Sequence, residues 1–305
     1  MATAEVKTKR LTLSISNIAP LIGLDNYNNF PRIFCEIWRR FNPTEFREFE
    51  LRMKEDGNKL ANSSELNDIW EIDELLGTNL LQQVKALNAN KEKSSNEMVK
   101  VQDEITKYIK NQDNLDAKQK EELVKKVCSV TNKNHGVNNE DAILKEFCRL
   151  SEKQLKQEQG WVEIPLSNGE GCEVIWIIIG KYDGITTENE LVEAKMRQKC
   201  LFKKMRDYEN VQVQLYLHAL GYKQGYLVES FTNKKNDMQL YTHEVQYNEE
   251  YVNEVILERL KQFIKFFELV MSDDKMKQDI IKGDLKREIY KQYEADYLGI
   301  EHIEF

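Results

Sequence analysis

The stretch Glu173-Val-Ile-Trp-Ile-Ile-Ile-Gly-Lys-Tyr-Asp-Gly184 and its continuation, Asn189-Glu-Leu-Val-Glu-Ala-Lys195, decide how this chain folds. Upstream, over residues 139–157, apolar side chains recur at helical spacing, with Ile143, Phe147, Leu150 and Leu155 on one side. At Gly160 the period changes from about 3.6 residues to two. Gly160-Trp-Val-Glu-Ile, Glu173–Ile179, Asn189–Lys195, Gly225-Tyr-Leu-Val-Glu and Met238-Gln-Leu-Tyr-Thr-His-Glu-Val245 therefore read as five strands. Between the third and fourth, Arg206–Leu220 is an amphipathic helix closed by Gly221, and Glu249–Met271 is another long helix. The order helix, three strands, helix, two strands, helix predicts an α+β fold with an α/β core: a mixed sheet flanked by helices.

Four segments follow. Residues 1–43 open the core: Leu11-Thr-Leu-Ser-Ile-Ser16 leads into a helix for which Ser16 or Asn17 is a suitable N-cap, with Pro20 in the first turn. After Pro31, Ile33–Trp38 reads as a buried helix. Residues 44–130 are rich in Lys, Glu, Asn and Gln and lack proline, so they read as a helical insertion of two or three helices jointed near 88–95 and 111–116. Residues 131–271 hold the strands, and 272–305 read as a charged helical tail.

Composition narrows the classes. No apolar run approaches the eighteen or so residues needed to span a membrane. The opening Met-Ala-Thr-Ala-Glu-Val-Lys lacks the apolar core of a signal peptide, so an intracellular setting, cytoplasm or nucleus, is expected. The five cysteines are scattered, with no Cys-x-x-Cys pair, which argues against zinc, an iron–sulfur cluster or a disulfide framework. A net charge of −8 does not suggest a nucleic-acid binder, but binding follows the local field. Lys195, Arg197, Lys199, Lys203, Lys204 and Arg206 make one acid-free basic run able to meet phosphates.

Chemistry concentrates beside that run. By this pattern Asp183 closes an apolar strand, with Gly184 permitting the return turn. Glu193 and Lys195, two apart on the next strand, share a face. A hairpin would bring Asp183 and Glu193 together as the paired hard oxygen ligands that Mg²⁺ requires. Lys195 would then orient or deprotonate an attacking water and offset phosphate charge. Each element is common alone; the conjunction is informative.

Asp183-Gly184, Glu193-Ala-Lys195 and Gln212 with Tyr216 resemble the PD-(D/E)xK nuclease superfamily, in its branch with a Gln-x-x-x-Tyr motif. Gly136-Val-Asn-Asn-Glu140 and the opening Leu-Ser-Ile-Ser16-Asn-Ile-Ala-Pro-Leu-Ile-Gly23 are similar to motifs of the lambda-type exonuclease, or YqaJ-like viral recombinase, family. The resemblance implies a restriction-endonuclease-like mixed sheet. It implies that Glu140, Asp183 and Glu193 hold Mg²⁺ or Mn²⁺, that Lys195 is the catalytic lysine, and that Gln212 and Tyr216 support it. Gln214 competes for the motif glutamine; Tyr216, four residues after Gln212, favours the latter. It further implies a terminal 5′-phosphate site at Ser16 with Arg10 (or Lys9), and DNA contacts from Lys181, Arg197, Lys199, Lys203 and Lys204. Lys181 and Tyr182 depart from the family, which often has a small residue and usually proline there.

The implied activity is metal-dependent digestion of duplex DNA from a 5′ end in recombination, replication or repair. The implied partners are DNA and a single-strand annealing protein, with a possible homo-oligomer and no membrane. A nuclease acting on single strands or flaps, and a non-catalytic DNA-binding scaffold that keeps the fold, are the alternatives.

Overall fold

The computed structural model describes residues 9–25, 29–55, 95–112, 115–117, 120–121, 123–125, 127–128, 140–166, 174–233, 237–283 and 288–300. Most of the expected insertion helices, and the Gly136–Asn139 approach to Glu140, lie outside these residues.

Strand β1 (Lys9–Ser14) enters a 3-10 turn (Ile15–Asn17) and the four-residue helix α1 (Ile18–Leu21). The cap expected from Ser16 or Asn17 is not made. Asn17 occupies the N-cap position without a side-chain bond to the helix, and the Ser16 hydroxyl lies 2.9 Å from that of Ser14. Helix α2 (Phe30–Phe41) starts with Pro31 in its first turn, where a missing N–H costs nothing. Helix α3 (Pro43–Glu55) buries Phe46, Phe49 and Met53 in the same core as α2, with Phe46 edge-on to Trp38 at 5.0 Å. Helices α4 (Ser95–Lys110) and α5 (Glu140–Ser151) follow.

The remaining elements are β2 (Leu155–Leu166), β3 (Val174–Thr186), β4 (Leu191–Arg197), α6 (Asp207–Leu220), β5 (Gln224–Thr232) and β6 (Met238–Gln246). A π-helical turn (Tyr251–Leu257) leads into α7 (Glu258–Ser272), then α8 (Asp274–Lys282) and α9 (Glu288–Gln292). Two expectations shift. The helix expected over 139–157 stops at Ser151, because Glu152 turns left-handed at φ 58°, and Leu155 opens a strand instead. The tail is more than a charged helix: Ile280, Ile281, Ile289, Tyr290 and Tyr293 are buried, and the Tyr293 ring lies 4.4 Å from that of Phe266.

The six strands form one mixed sheet in the order β1-β3-β4-β5-β6, with β2 also on β3. β1 runs parallel to β3 over Lys9–Ser14 and Val174–Ile179, and β4 parallel to β5; the other pairings are antiparallel. A strand has only two edges, and β2 pairs with β3 from Trp176 to Thr186. Hence β1 and β4 must share the other edge. β1 pairs as far as Ile179, and β4 pairs only at Gly184 and Ile185, so residues 180–183 line a fork between them.

Alternation along β4 covers both faces of the sheet's second half. Leu191 joins the large core with Val213 and Leu217 of α6, whereas Val192 and Ala194 pack with Ile143, Leu144 and Phe147 of α5. Burying such side chains contributes about 1.5–3 kcal/mol each. These two packings fix α5 and α6 against the fork from opposite sides. α6 ends as expected, with Gly221 at φ 67°.

Candidate active site

Asp183 lies inside β3 rather than at its end. The strand continues through Gly184 to Thr186, and the turn falls at 187–190, where Asn189 takes φ 65°. Asp183 occupies the fork, where backbone pairing with β4 stops after Gly184 and Val192. Its Oδ2 accepts a hydrogen bond from the Ala194 backbone N–H at 2.8 Å, replacing the next rung of the ladder. This fixes the carboxylate beside β4.

Glu193 and Lys195 project from β4 toward α6, which presents Gln212 and, one turn later, Tyr216. The Lys195 ammonium donates to Glu193 Oε1 at 2.8 Å and to Gln212 Oε1 at 2.9 Å. The Gln212 amide donates to Glu193 Oε1 at 2.8 Å and lies 3.5 Å from the Tyr216 hydroxyl. That hydroxyl donates to the Lys181 carbonyl at 2.6 Å, tying α6 to the fork. The tie needs a glycine at 180, since a Cβ there would come within 2.7 Å of the Tyr216 ring and 2.6 Å of Ile15. Gln214 points elsewhere, bonding the Gln246 carbonyl and the Asn248 amide at 2.8 Å each. Asp183, Glu193, Lys195, Gln212 and Tyr216 are thus brought together.

Glu140, the first residue of α5, stands close enough to Asp183, Lys181 and Lys195 to feel their charges. Its Oε2 accepts from the Gln159 amide at 3.2 Å. Gln159 has no sequence signal to mark it. Its backbone is left-handed (φ 54°), a conformation that costs a non-glycine residue free energy and often accompanies functional sites.

Burial dominates the electrostatics. It raises the Glu193 carboxyl to about 8, with Lys195 opposing and Asp183 reinforcing the shift. It raises Glu140 to about 7, assisted by Asp183 and opposed by Lys181 and Lys195, and it also raises Asp183. Burial alone would lower Lys195, but Glu193 and Asp183 outweigh it and the net shift is upward. Lys195 is therefore an ammonium at neutral pH. Burial, then the Glu193 charge, keeps Tyr216 protonated.

The donor set suits a hard divalent cation. Among the described residues Glu193 Oε2 is buried without a hydrogen-bond partner, an arrangement costly for an anion unless a proton or cation meets it. Among the described residues no three His, Cys, Asp or Glu side chains converge into a cage for an ion. An ion here would rest on the Asp183–Glu193 pair with Glu140 nearby, leaving other positions to water and phosphate, as Mg²⁺ prefers.

The basic residues divide. Lys199, Lys203 and Lys204 are exposed on the β4–α6 loop, and Lys181 is exposed beside the fork. Arg197, expected on the same wall, is instead buried: its guanidinium lies 2.7 Å from Glu209 and 2.9 Å from Glu229. Glu229 Oε2 also accepts the backbone N–H groups of Phe202 (2.7 Å) and Lys203 (3.2 Å), so this pair anchors the loop. Two carboxylates without solvent contact need such a partner, and the apolar strand Gly225–Val228 running into Glu229 was the available signal. A cleft of about 520 Å³ beside the loop is lined by Phe202, Lys204 and Arg206 but by none of Glu140, Asp183 and Glu193. Arg10 and Ser16 are not brought together. Arg10 lies near the start of β1 and pairs with Glu163 at 3.4 Å, while Ser16 lies in the 3-10 turn beyond Ser14, itself about 13 Å along the strand from Arg10.

No family model matches this chain, and no curated protein matches it. Solved structures do show a likeness. The crystal structure of SSO0001 shares 15% identity over 64% of this chain and 85% of its own, at a TM-score of 0.35. The alkaline exonuclease LHK-Exo from Laribacter hongkongensis shares 12% over 65% and 88%, at 0.33, and its complex with dAMP 13% over 64% and 92%, at 0.30. Similarity at this level assigns neither a family nor an activity. Among the described residues no helix is long and apolar enough to cross a membrane.

Proposed function

We propose that this chain is a DNA nuclease that hydrolyses phosphodiester bonds with Mg²⁺ or Mn²⁺, degrading duplex DNA from a 5′ end. The observation that carries this reading is the hydrogen-bonded set at the fork: Asp183 on the Ala194 amide, and Glu193 Oε1 receiving both Lys195 and Gln212. A bound divalent cation supplies Lewis-acid stabilisation of the phosphoryl oxygen and a more acidic water.

This chain's own residues do the rest. Lys195, a quarter exposed and fixed by two acceptors, presents its ammonium to a phosphate oxygen and orients the attacking water. Gln212 holds Glu193 and Lys195 in register from the helix side. Tyr216 acts as a positioning residue, because its proton is committed to the Lys181 carbonyl. Lys199, Lys203 and Lys204, exposed and without ion pairs among the described residues, supply the sequence-independent hold on the phosphate backbone.

The test is the substrate form. With Mg²⁺, duplex labelled at its 5′ end is expected to lose label as mononucleotides before the strand shortens from the 3′ side, and covalently closed duplex is expected to persist. Loss of closed circles at the same rate would replace this reading with an endonuclease, and preferential loss of single strands with a single-strand or flap nuclease.

A further inference from the structure

Trp161 is 70% exposed, whereas Trp38 and Trp176 are fully buried. Tryptophan is costly to leave in water, so an isolated indole on a sheet surface is informative when its neighbours carry chemistry. Trp161 on β2 is the direct cross-strand partner of Lys181 on β3, so the two side chains stand together on one face. The opposite face of this hairpin, carrying Val162, Ile164, Trp176, Ile178 and Tyr182, is the core side. Lys181 is exposed, has no ion pair among the described residues, and lies two residues before Asp183, about 7 Å along the strand. Its charge reaches both Asp183 and Glu140. The pair therefore stands beside Asp183 and Glu140, on the face of the hairpin away from its core side.

We propose that Trp161 and Lys181 form a nucleotide subsite next to the reacting phosphate. A base with a free face stacks on the indole, and the adjoining phosphate meets the Lys181 ammonium. Bases inside a duplex have both faces covered, so the subsite selects a terminal base pair or an unpaired nucleotide. Stacking on an aromatic ring tolerates any base, so no sequence preference arises here. The subsite rests on the phosphodiesterase reading above and gives it a preference for ends.

The experiment measures DNA binding without divalent cation, so that it does not depend on hydrolysis. Fluorescence anisotropy is read for wild type, Trp161→Ala, Trp161→Phe and Lys181→Ala with three probes: a blunt duplex, a single-stranded oligonucleotide, and a duplex closed at both ends by hairpin loops of non-nucleotide linker. Both side chains are exposed, so the variants should fold. Trp161→Ala is expected to weaken binding on the order of tenfold to the first two probes, with an unchanged salt slope and little effect on the third. Trp161→Phe should recover most of the loss. Lys181→Ala is expected to lower the salt slope by about 0.7–0.9, one phosphate contact. Quenching of tryptophan emission by the open probes in wild type but not in Trp161→Phe would place the base on this indole. Trp161→Ala binding every probe as wild type does would overturn the subsite, even if the enzyme cleaves DNA. A Trp161-dependent preference for open probes in a protein that never cleaves DNA would uphold the subsite and overturn the nuclease reading.

Discussion

Glu193→Gln should make the metal-free protein more stable at alkaline pH while lowering DNA hydrolysis by about 10²–10³-fold. The native carboxyl is raised by burial to about 8, against 4.5 in the unfolded chain. The native state therefore holds its proton more tightly than the unfolded state does. That contribution to stability is fully present below about pH 4.5, declines as pH rises, and is lost once pH passes about 8. An uncharged glutamine carries no ionisation cost, so the difference between variant and wild type should be small at pH 5 and grow to a few kcal/mol at pH 9. On the proposed metal-dependent reading, Mg²⁺ should reverse the order by binding the wild-type carboxylate and adding stability by mass action, an effect the variant would largely forgo. Thermal unfolding at pH 5 and pH 9, with and without Mg²⁺, measures all of this. A variant less stable than wild type at pH 9 without metal would show that Glu193 is held as a satisfied anion by Lys195 and Gln212 alone.

Arg197→Ala is expected to destabilise the fold by about 3–5 kcal/mol at pH 7.5, the range for removing one partner of a buried ion pair. Glu209 and Glu229 have no solvent contact, and Arg197 is the cation facing both. His243 Nε2, 3.1 Å from Glu229 Oε1, is a hydrogen-bond partner in its Nε2–H tautomer and adds a positive charge only when protonated. Without the guanidinium, the Glu229 carboxylate that accepts the Phe202 and Lys203 amides becomes a buried charge without its cation, which weakens the anchor of the β4–α6 loop. The sign with pH is opposite to that of Glu193. Although burial opposes it, Arg197 holds the Glu229 carboxyl below its ordinary range, so its contribution is present above about pH 4.5 and is lost as pH falls. The deficit of Arg197→Ala should accordingly shrink on acidification. Urea unfolding at pH 7.5 and pH 5 measures it, and a loss under about 1 kcal/mol at both would mean that the two glutamates find other partners.

Much of this was legible in the sequence, and the misses share physical causes. Period two marked β2 through β6, and the spacing from Asp183 to Glu193 placed the two carboxylates together. What periodicity cannot see is a change of partner along one strand. β3 continues through Asp183–Gly184 because β2 pairs with it throughout, while its other edge passes from β1 to β4. The Asp-Gly pair looks like a turn only if each strand edge has a single partner. The end of α5 was missed because Glu152, not a glycine, takes the left-handed conformation. Arg197 read as part of a basic surface because charge runs carry no burial information, and its partners Glu209 and Glu229 lie 12 and 32 residues away. Gln159 reaches Glu140 across 19 residues and two elements, a contact no local pattern encodes.

On the proposed function, Asp183, Glu193 and Lys195 form a single divalent-cation-dependent hydrolytic centre. Single-turnover cleavage of end-labelled duplex DNA by wild type, Asp183→Asn and Lys195→Ala, across a Mg²⁺ titration, tests it most directly. The expected result is Mg²⁺-dependent cleavage by wild type and a loss of about 10²–10⁴-fold in each variant, with DNA binding retained. Cleavage by Asp183→Asn at the wild-type rate, or wild-type cleavage that persists in excess chelator, would contradict it.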